Sequence, residues 1–290
     1  MKKLRIAGLP VCIESADKVW FDERYAAYER QDDAPALLTM TTSYVSELSC
    51  PVGETIETTR SLNLVRLEDG RLCRYARNKA GQVVLTITNT LDYSEVDIRL
   101  LESWQSAHRS LREYEYMYTG FSFHNRLAML GGGVLHGSSL CWRGHGVVFS
   151  ADSGVGKSTH VGLWKQMLGE GVTILNDDKP AICFEEDKPV LWGTPWSGKT
   201  ALNHNGCAPL EAIVFIERGA ENTIRSLDPV ESMYRLAGQI SRPFYDEAVG
   251  KQVVDFMGRL LDSVPIYCLT CTISKKAVDT VRRTLFPEEE

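Results

Sequence analysis

The sequence predicts a two-domain α/β protein, with a β-rich N-terminal domain over residues 1–110 and an α/β domain over residues 111–290. Three observations predict it. Short β-branched segments separated by turn residues fill the first hundred positions. Strand-like and helix-like segments alternate from residue 146 onward. One of those alternations carries a glycine-containing loop between an apolar strand and a helix. With 290 residues, 43% hydrophobic and 24% charged, the chain is long enough for two ordinary domains and can bury a core without metal or disulfide staples.

The elements follow in order. Residues 6–13 are apolar but contain Gly8 and Pro10, are short, and lack a small-residue cleavage site, so they read as a first strand and not a signal peptide. A short helix is expected over 19–29. Strands are expected over 37–44, 62–67, 72–76 and 82–87, with hairpin turns at Glu68-Asp69-Gly70-Arg71 and at 78–81. Residues 92–108 change character, with apolar positions Val96, Ile98, Leu100, Leu101 and Trp104 suggesting a helix or a strand-to-helix passage. An aromatic-rich helix over 114–128 ends at Gly131-Gly132-Gly133, and the domain boundary is placed in this helical region. Beyond it, strands over 134–142 and 146–150 flank a tight turn at Arg143-Gly144-His145. Helical spacing covers 157–167, Pro229–Gln239 and 249–262, and further apolar strands are expected at 172–175, 212–217 and 265–269.

Charge and cysteine usage narrow the partners. A formal net charge of -6 argues against nucleic acid, whose phosphates call for a basic surface. No apolar run approaches the roughly 18 residues of a membrane helix, so no membrane association is expected. Eight scattered cysteines in a long chain fit a reducing, cytoplasmic setting. Cys268-Leu269-Thr270-Cys271 lacks the second pair that a zinc site needs and reads as two buried thiols on a strand.

The segment from Val147 through Phe149, Ser150, Ala151, Asp152, Ser153, Gly154, Val155, Gly156, Lys157 and Ser158 to Thr159 carries the strongest chemical signal. A buried strand, a loop with two glycines and a helix start are what a phosphate cradle needs: loop and helix amides point at the anion, and glycine lets the backbone approach it. Ser153, Gly154, Val155, Gly156, Lys157, Ser158 and Thr159 are therefore assigned to the nucleotide, ATP, as a P-loop. Lys157 reaches the β- and γ-phosphates and the Ser158 hydroxyl joins a Mg2+ shell. Ala151 stands where the full pattern has a glycine. The strand at 172–175 runs into Asn176, Asp177 and Asp178. Carboxylates at that strand end sit beside the phosphates. Asp177 is assigned to the metal, and the second carboxylate can accept the proton of an attacking hydroxyl.

His136-Gly137, the loop from Ser150 to Ser158 and Asn176-Asp177-Asp178, in that order, resemble the catalytic domain of HPr kinase/phosphorylase, a family that shares its P-loop core with phosphoenolpyruvate carboxykinases. The similarity covers residues 125–215 and does not extend to the first hundred. The resemblance implies an ATP- and Mg-dependent kinase that phosphorylates a hydroxyl, such as a serine, on a protein, a peptide or a small molecule. It implies Asp177 or Asp178 as general base with His136 as its neighbour. Lys199, closing Thr194-Pro195-Trp196-Ser197-Gly198-Lys199, is a further catalytic candidate that could meet phosphate or substrate, and Trp196 is either a platform for a base or core. Arg218 and Arg242 are candidate stabilisers of the transferring phosphoryl group, or surface salt-bridge residues. A homo-oligomer stays open. Two other readings use the same cradle: a carboxykinase-like lyase, and a non-catalytic nucleotide-binding or sensing module whose N-terminal domain binds a partner. The co-occurrence of Lys157, Ser158, Asp177 and Asp178 favours the enzyme.

Overall fold

The apolar run near the N-terminus folds as a hairpin and not as one strand. β1 (Lys2–Ile6) and β2 (Leu9–Glu14) pair antiparallel, and the chain reverses at Ala7 and Gly8, both at positive φ. The computed structural model describes residues 1–288 except 60–61, 107, 199 and 242–246. Two of the sequence candidates, Lys199 and Arg242, lie outside the described residues.

The chain divides into two units, Met1–Met129 and Leu130–Glu290. In the first, β1 and β2 are followed by α1 (Lys18–Tyr25), β3 (Leu38–Val45), β4 (Glu54–Thr58), β5 (Asn63–Arg66), β6 (Leu72–Arg77), β7 (Val83–Asn89), β8 (Glu95–Leu101) and α2 (Leu111–Met129). The eight strands form one sheet in the order β1-β2-β3-β8-β7-β6-β5-β4. β2, β3 and β8 run parallel to one another and the rest of the sheet is antiparallel. Within the segment 92–108, read as a helix or a strand-to-helix passage, residues 95–101 form β8, and the next helix begins at Leu111. The buried positions Val96, Ile98 and Leu100 of β8 alternate with more exposed neighbours, which is strand periodicity.

Helix α2 belongs to the first unit, so the division falls after Met129 and not at 110. Polar contacts explain why. The buried Glu115 carboxylate accepts hydrogen bonds from the Thr42 hydroxyl, from Tyr44 Oη at 2.6 Å and from the Ala16 amide at 2.9 Å. Arg126 donates to the Leu37 carbonyl at 2.8 Å and to Asp92 Oδ2 at 2.9 Å. A buried charge is stable only with partners, and these come from β3 and from the loops of the same sheet.

The second unit contains β9 (Gly133–Val134), β10 (Gly137–Trp142), β11 (His145–Ser150), α3 (Lys157–Leu168), β12 (Val172–Asn176), β13 (Ala181–Glu185), β14 (Lys188–Trp192), β15 (Cys207–Arg218), β16 (Thr223–Ser226), α4 (Pro229–Gln239), α5 (Glu247–Ser263), β17 (Ile266–Cys271) and α6 (Lys275–Leu285). The long strand β15 serves two layers. Its start pairs antiparallel with β14 in a small sheet with β13 and β9, and its remainder pairs parallel with β11 and β17. β10 lies between β11 and β12 and is antiparallel to both. Four strands, β12, β11, β15 and β17, therefore run in the same direction. Their carboxyl ends share one edge of the sheet, the edge at which ligands bind in open α/β sheets.

One face of this sheet is sealed by α3 and α6. Phe149, Val161, Trp164, Val214, Leu269 and Val278 are fully or almost fully buried in a single apolar cluster. Each such side chain contributes about 1.5–3 kcal/mol through burial. Cys268 and Cys271 are both buried on β17, and burial pushes both thiols above their ordinary pKa. Among the described residues no group of three or more His, Cys, Asp or Glu side chains is placed to hold a metal, and no helix is long and apolar enough to cross a membrane.

Candidate functional site

β11 ends at Ser150, and α3 begins at Lys157. The connecting loop turns through Gly154 and Gly156, at φ 80° and 128°, where a side chain would be strained. Gly156 caps α3 and, as a glycine, supplies no side-chain hydrogen bond to the first-turn amides. Lys157 is 7% exposed, and its ammonium folds back on the loop, donating to the carbonyls of Ala151 at 2.8 Å and Asp152 at 3.2 Å. Burial lowers its pKa, helped by the nearby Lys179 charge and opposed by Asp178, Asp152 and Asp177.

Strand β10 sets the distance between this loop and the acidic pair. Gly137 pairs with Ser150 on one side, and Ser139 pairs with Asn176 on the other. The ends of β11 and β12 are thus two strand spacings apart, about 10 Å. Asp177 is 7% exposed. Its Oδ1 accepts from the Ser138 hydroxyl at 2.8 Å, and its Oδ2 accepts from the Thr200 hydroxyl at 2.6 Å.

Asn176, fully buried, organises the turn beyond β12. Its side-chain oxygen accepts from the amides of Asp178 at 2.8 Å and Lys179 at 2.6 Å. Its amide nitrogen donates to the carbonyls of Thr194 at 2.8 Å and Trp196 at 3.2 Å. The strand end is thereby tied to the segment carrying Thr194, Trp196 and Ser197. Trp196 is 3% exposed, so its ring belongs to the interior and offers no open platform. Ser197 is likewise buried. A side chain at Gly198 would bring its Cβ to 3.3 Å from that of Asp178, so glycine permits the approach.

His136, on the link between β9 and β10, meets Asp178. Its Nε2 lies 3.4 Å from Asp178 Oδ1, and Lys179 Nζ lies 3.6 Å from the same oxygen. Burial lowers the His136 pKa first, then the charges of Lys179 and Lys157, with Asp178 pulling the other way. The other imidazole nitrogen, Nδ1, is 3.0 Å from Gln239 Oε1, and Gln239 Nε2 donates to Asp152 Oδ1 at 3.0 Å.

Arg218, at the end of β15, forms no salt bridge among the described residues. Its guanidinium donates to the carbonyls of Gly154 at 2.6 Å and Val155 at 3.2 Å, which clasps the loop from outside. A cavity of about 1000 Å³ opens beside the loop, lined among others by Asp152, Val155, Arg218, Tyr234, Arg235 and Gln239. A second, of about 300 Å³, is lined by Gly156, Thr159, His160, Arg218 and Thr272.

The sequence candidates His136, Lys157, Asp177 and Asp178 are thus gathered at one sheet edge, with Ser153, Gly154, Val155, Gly156, Ser158 and Thr159 on the loop and first turn beside them. Sequence reasoning missed Asp152, Ser138, Thr200 and Gln239. Asn176 was recognised as part of the motif but not as its structural centre. A polar residue ending an apolar strand was the available signal for Asn176; nothing local marks Gln239, 103 residues from His136.

Fold and site together define a mixed α/β protein with large sheets and a loop-and-carboxylate edge. No family model matches the chain, and no curated protein matches its sequence. Among solved structures, the HPr(Ser) kinase/phosphatase from Coxiella burnetii is similar at 12% identity and a TM-score of 0.31, over 54% of this chain and 99% of that one. The likeness is weak in both sequence and shape.

Proposed function

We propose that residues 130–290 form an ATP- and Mg-dependent phosphotransferase that moves the γ-phosphoryl group to a hydroxyl on a protein, a peptide or a small molecule, in the manner of the HPr kinases. The observation that carries this reading is the pairing of β10 with both β11 and β12, which puts the loop ending in Lys157 and the carboxylates of Asp177 and Asp178 on one edge. Phosphoryl transfer needs little covalent help from a protein. It needs an anion held in place, charge to offset the phosphates, and an acceptor for the proton of the attacking hydroxyl.

The residues supply each part. The glycine-capped start of α3 and the turn at Gly154 and Gly156 present backbone amides to an anion. Lys157 now donates to two neutral carbonyls; a triphosphate would offer it charged oxygens, which make stronger hydrogen bonds. Asp178, exposed more than Asp177 and next to His136, is suited to accept the hydroxyl proton. Asp177, held at both oxygens by hydroxyl donors, keeps lone pairs and a fixed orientation for a cation. Mg2+ is commonly held by one or two carboxylates with water and phosphate completing its shell, so Asp177 with the Ser158 hydroxyl fits it without a preformed cluster. When bound, Mg2+ would neutralise charge on the phosphates.

Calorimetric titration with Mg·ATP tests the cradle: binding by the wild type, lost in Lys157→Ala, is expected. Wild-type protein that binds no ATP overturns the proposal. Radiolabelled ATP offered with hydroxyl-bearing proteins, peptides and small molecules tests transfer, and Asp178→Asn is expected to bind ATP without transferring.

A further inference from the structure

We infer that Gln239 is a positioning residue that holds His136 in its Nδ1–H tautomer, and that it does so because Asp152 on the loop fixes the orientation of the Gln239 amide. This inference rests on the phosphotransferase reading for its role in catalysis, but not for its chemistry.

Both ring nitrogens face an oxygen acceptor, Gln239 Oε1 at 3.0 Å and Asp178 Oδ1 at 3.4 Å, and the shorter contact decides which one holds the single proton of the neutral ring. A carboxylate only accepts hydrogen bonds, so the atom of Gln239 that faces Asp152 Oδ1 at 3.0 Å is the NH2 group. The carbonyl oxygen of the same amide then faces His136 Nδ1 at 3.0 Å, and a carbonyl can only accept. The proton of the neutral ring is therefore on Nδ1. The opposite nitrogen, Nε2, carries its lone pair towards Asp178 Oδ1, 3.4 Å away. A hydroxyl arriving there meets two acceptor atoms, Nε2 and Oδ1, with the Lys179 ammonium 3.6 Å from the second. The reverse tautomer would set the Nδ1 lone pair against the Gln239 carbonyl, and turning the amide to relieve that would set the carbonyl against Asp152.

The backbone makes this arrangement rigid. The His136 amide donates to the Gln239 carbonyl at 2.8 Å, Ser241 donates to Val134 at 2.8 Å, and Leu135 bridges Ile240. The end of α4 is thus fixed against the link carrying His136, whatever side chain stands at 239. Both Asp152 and Gln239 line the cavity of about 1000 Å³, so the strap lies on its wall. The charged and titratable groups facing His136 are Asp178, Lys179, Lys157 and, through Gln239, Asp152.

The test reads the tautomer directly. Long-range proton–nitrogen correlation spectra of the 15N-labelled full chain, without nucleotide and at a pH where the ring is neutral, report which nitrogen is protonated. The His136 signals are assigned by their loss in His136→Gln. The wild type is expected to show a protonated Nδ1 and a bare Nε2. Gln239→Met is expected to move the proton to Nε2, where Asp178 can accept it, and Gln239→Asn or Asp152→Asn to give a mixture. A wild-type ring protonated at Nε2, or a tautomer unchanged in both Gln239→Met and Asp152→Asn, overturns the inference. Asp152→Asn keeps the test open if Gln239→Met does not fold. Because no nucleotide is present, a protein that shows the expected tautomers yet transfers no phosphate sinks only the functional proposal.

Discussion

The two edges of the second sheet are built from different chemistry. Where β10 turns into β11, at Arg143 and Gly144, the structure is aromatic: Trp142 packs on Trp164 and Phe286 with ring centroids 5.9 and 5.1 Å apart, and His145 lies 5.2 Å from Phe286. At the opposite edge, where β11 and β12 end, Lys157 and Asp177 are nearly buried, and hydroxyls, carbonyls and one buried asparagine hold the surrounding turns. The first edge lowers free energy by removing apolar surface from water. The second keeps charges out of water at a cost that only their hydrogen bonds offset. A sheet with one edge of each kind separates stability from chemistry, and substitutions should show that separation.

The largest effect is expected from Trp142→Ala. Trp142 is 3% exposed, and the truncation should cost about 3–5 kcal/mol in urea unfolding while ATP binding per folded molecule is kept. Equal loss of binding would blur the contrast between the edges. Asp178→Asn should do the opposite: unchanged unfolding, with transfer reduced by about 10²–10⁴-fold in single-turnover assays. Full activity in that variant would remove Asp178 from the base role.

A pH effect of intermediate size should come from His160, on the α3 face of the core. Burial lowers its pKa to about 4, and Trp164 Nε1 donates to its Nε2 at 3.2 Å, which requires a neutral acceptor. The unfolded chain takes this proton near pH 6.5 and the folded one only near 4, so its stability contribution is complete above 6.5 and is lost as pH falls to 4. The loss should approach about 3 kcal/mol, measured by unfolding at a series of pH values. His160→Gln should flatten that part of the profile; a slope unchanged by the substitution would assign it to other groups.

Ser138→Ala should remove a donor from the Asp177 carboxylate and cost about 1.5–3 kcal/mol, read by thermal unfolding. Smallest of all, Arg218→Met removes two exposed contacts to the loop carbonyls. It should change stability by no more than about 0.5 kcal/mol yet weaken ATP binding. A large loss of stability there would mean the clasp serves the fold.

Much of the fold was legible because its signals are local. The turns at Gly70 and Gly81, both at positive φ, follow from glycine and its polar neighbours, and Pro229–Gln239 is a helix from its aspartate cap and first-turn proline. Where local signals compete, the reading stayed open or went astray. Val96, Ile98, Leu100, Leu101 and Trp104 fit a helical pattern loosely, but pairing with β3 and β7 made most of that stretch a strand. The apolar run at residues 6–13 has one composition and two directions, because Ala7 and Gly8 reverse the chain.

The sequence by itself determined the loop from Ser150 to Lys157, the acidic strand end at Asp177 and Asp178, and the strand–helix alternation around them. Each of these rests on neighbours in the chain, whose spacing fixes their relation. Only the tertiary structure decided that α2 belongs with the first unit, that Arg218 grips the loop, and that Gln239 stands between His136 and Asp152. Those contacts join residues 34 to 103 positions apart. Their proximity is created by sheet order and helix packing, and no stretch of sequence short enough to read by pattern contains both partners.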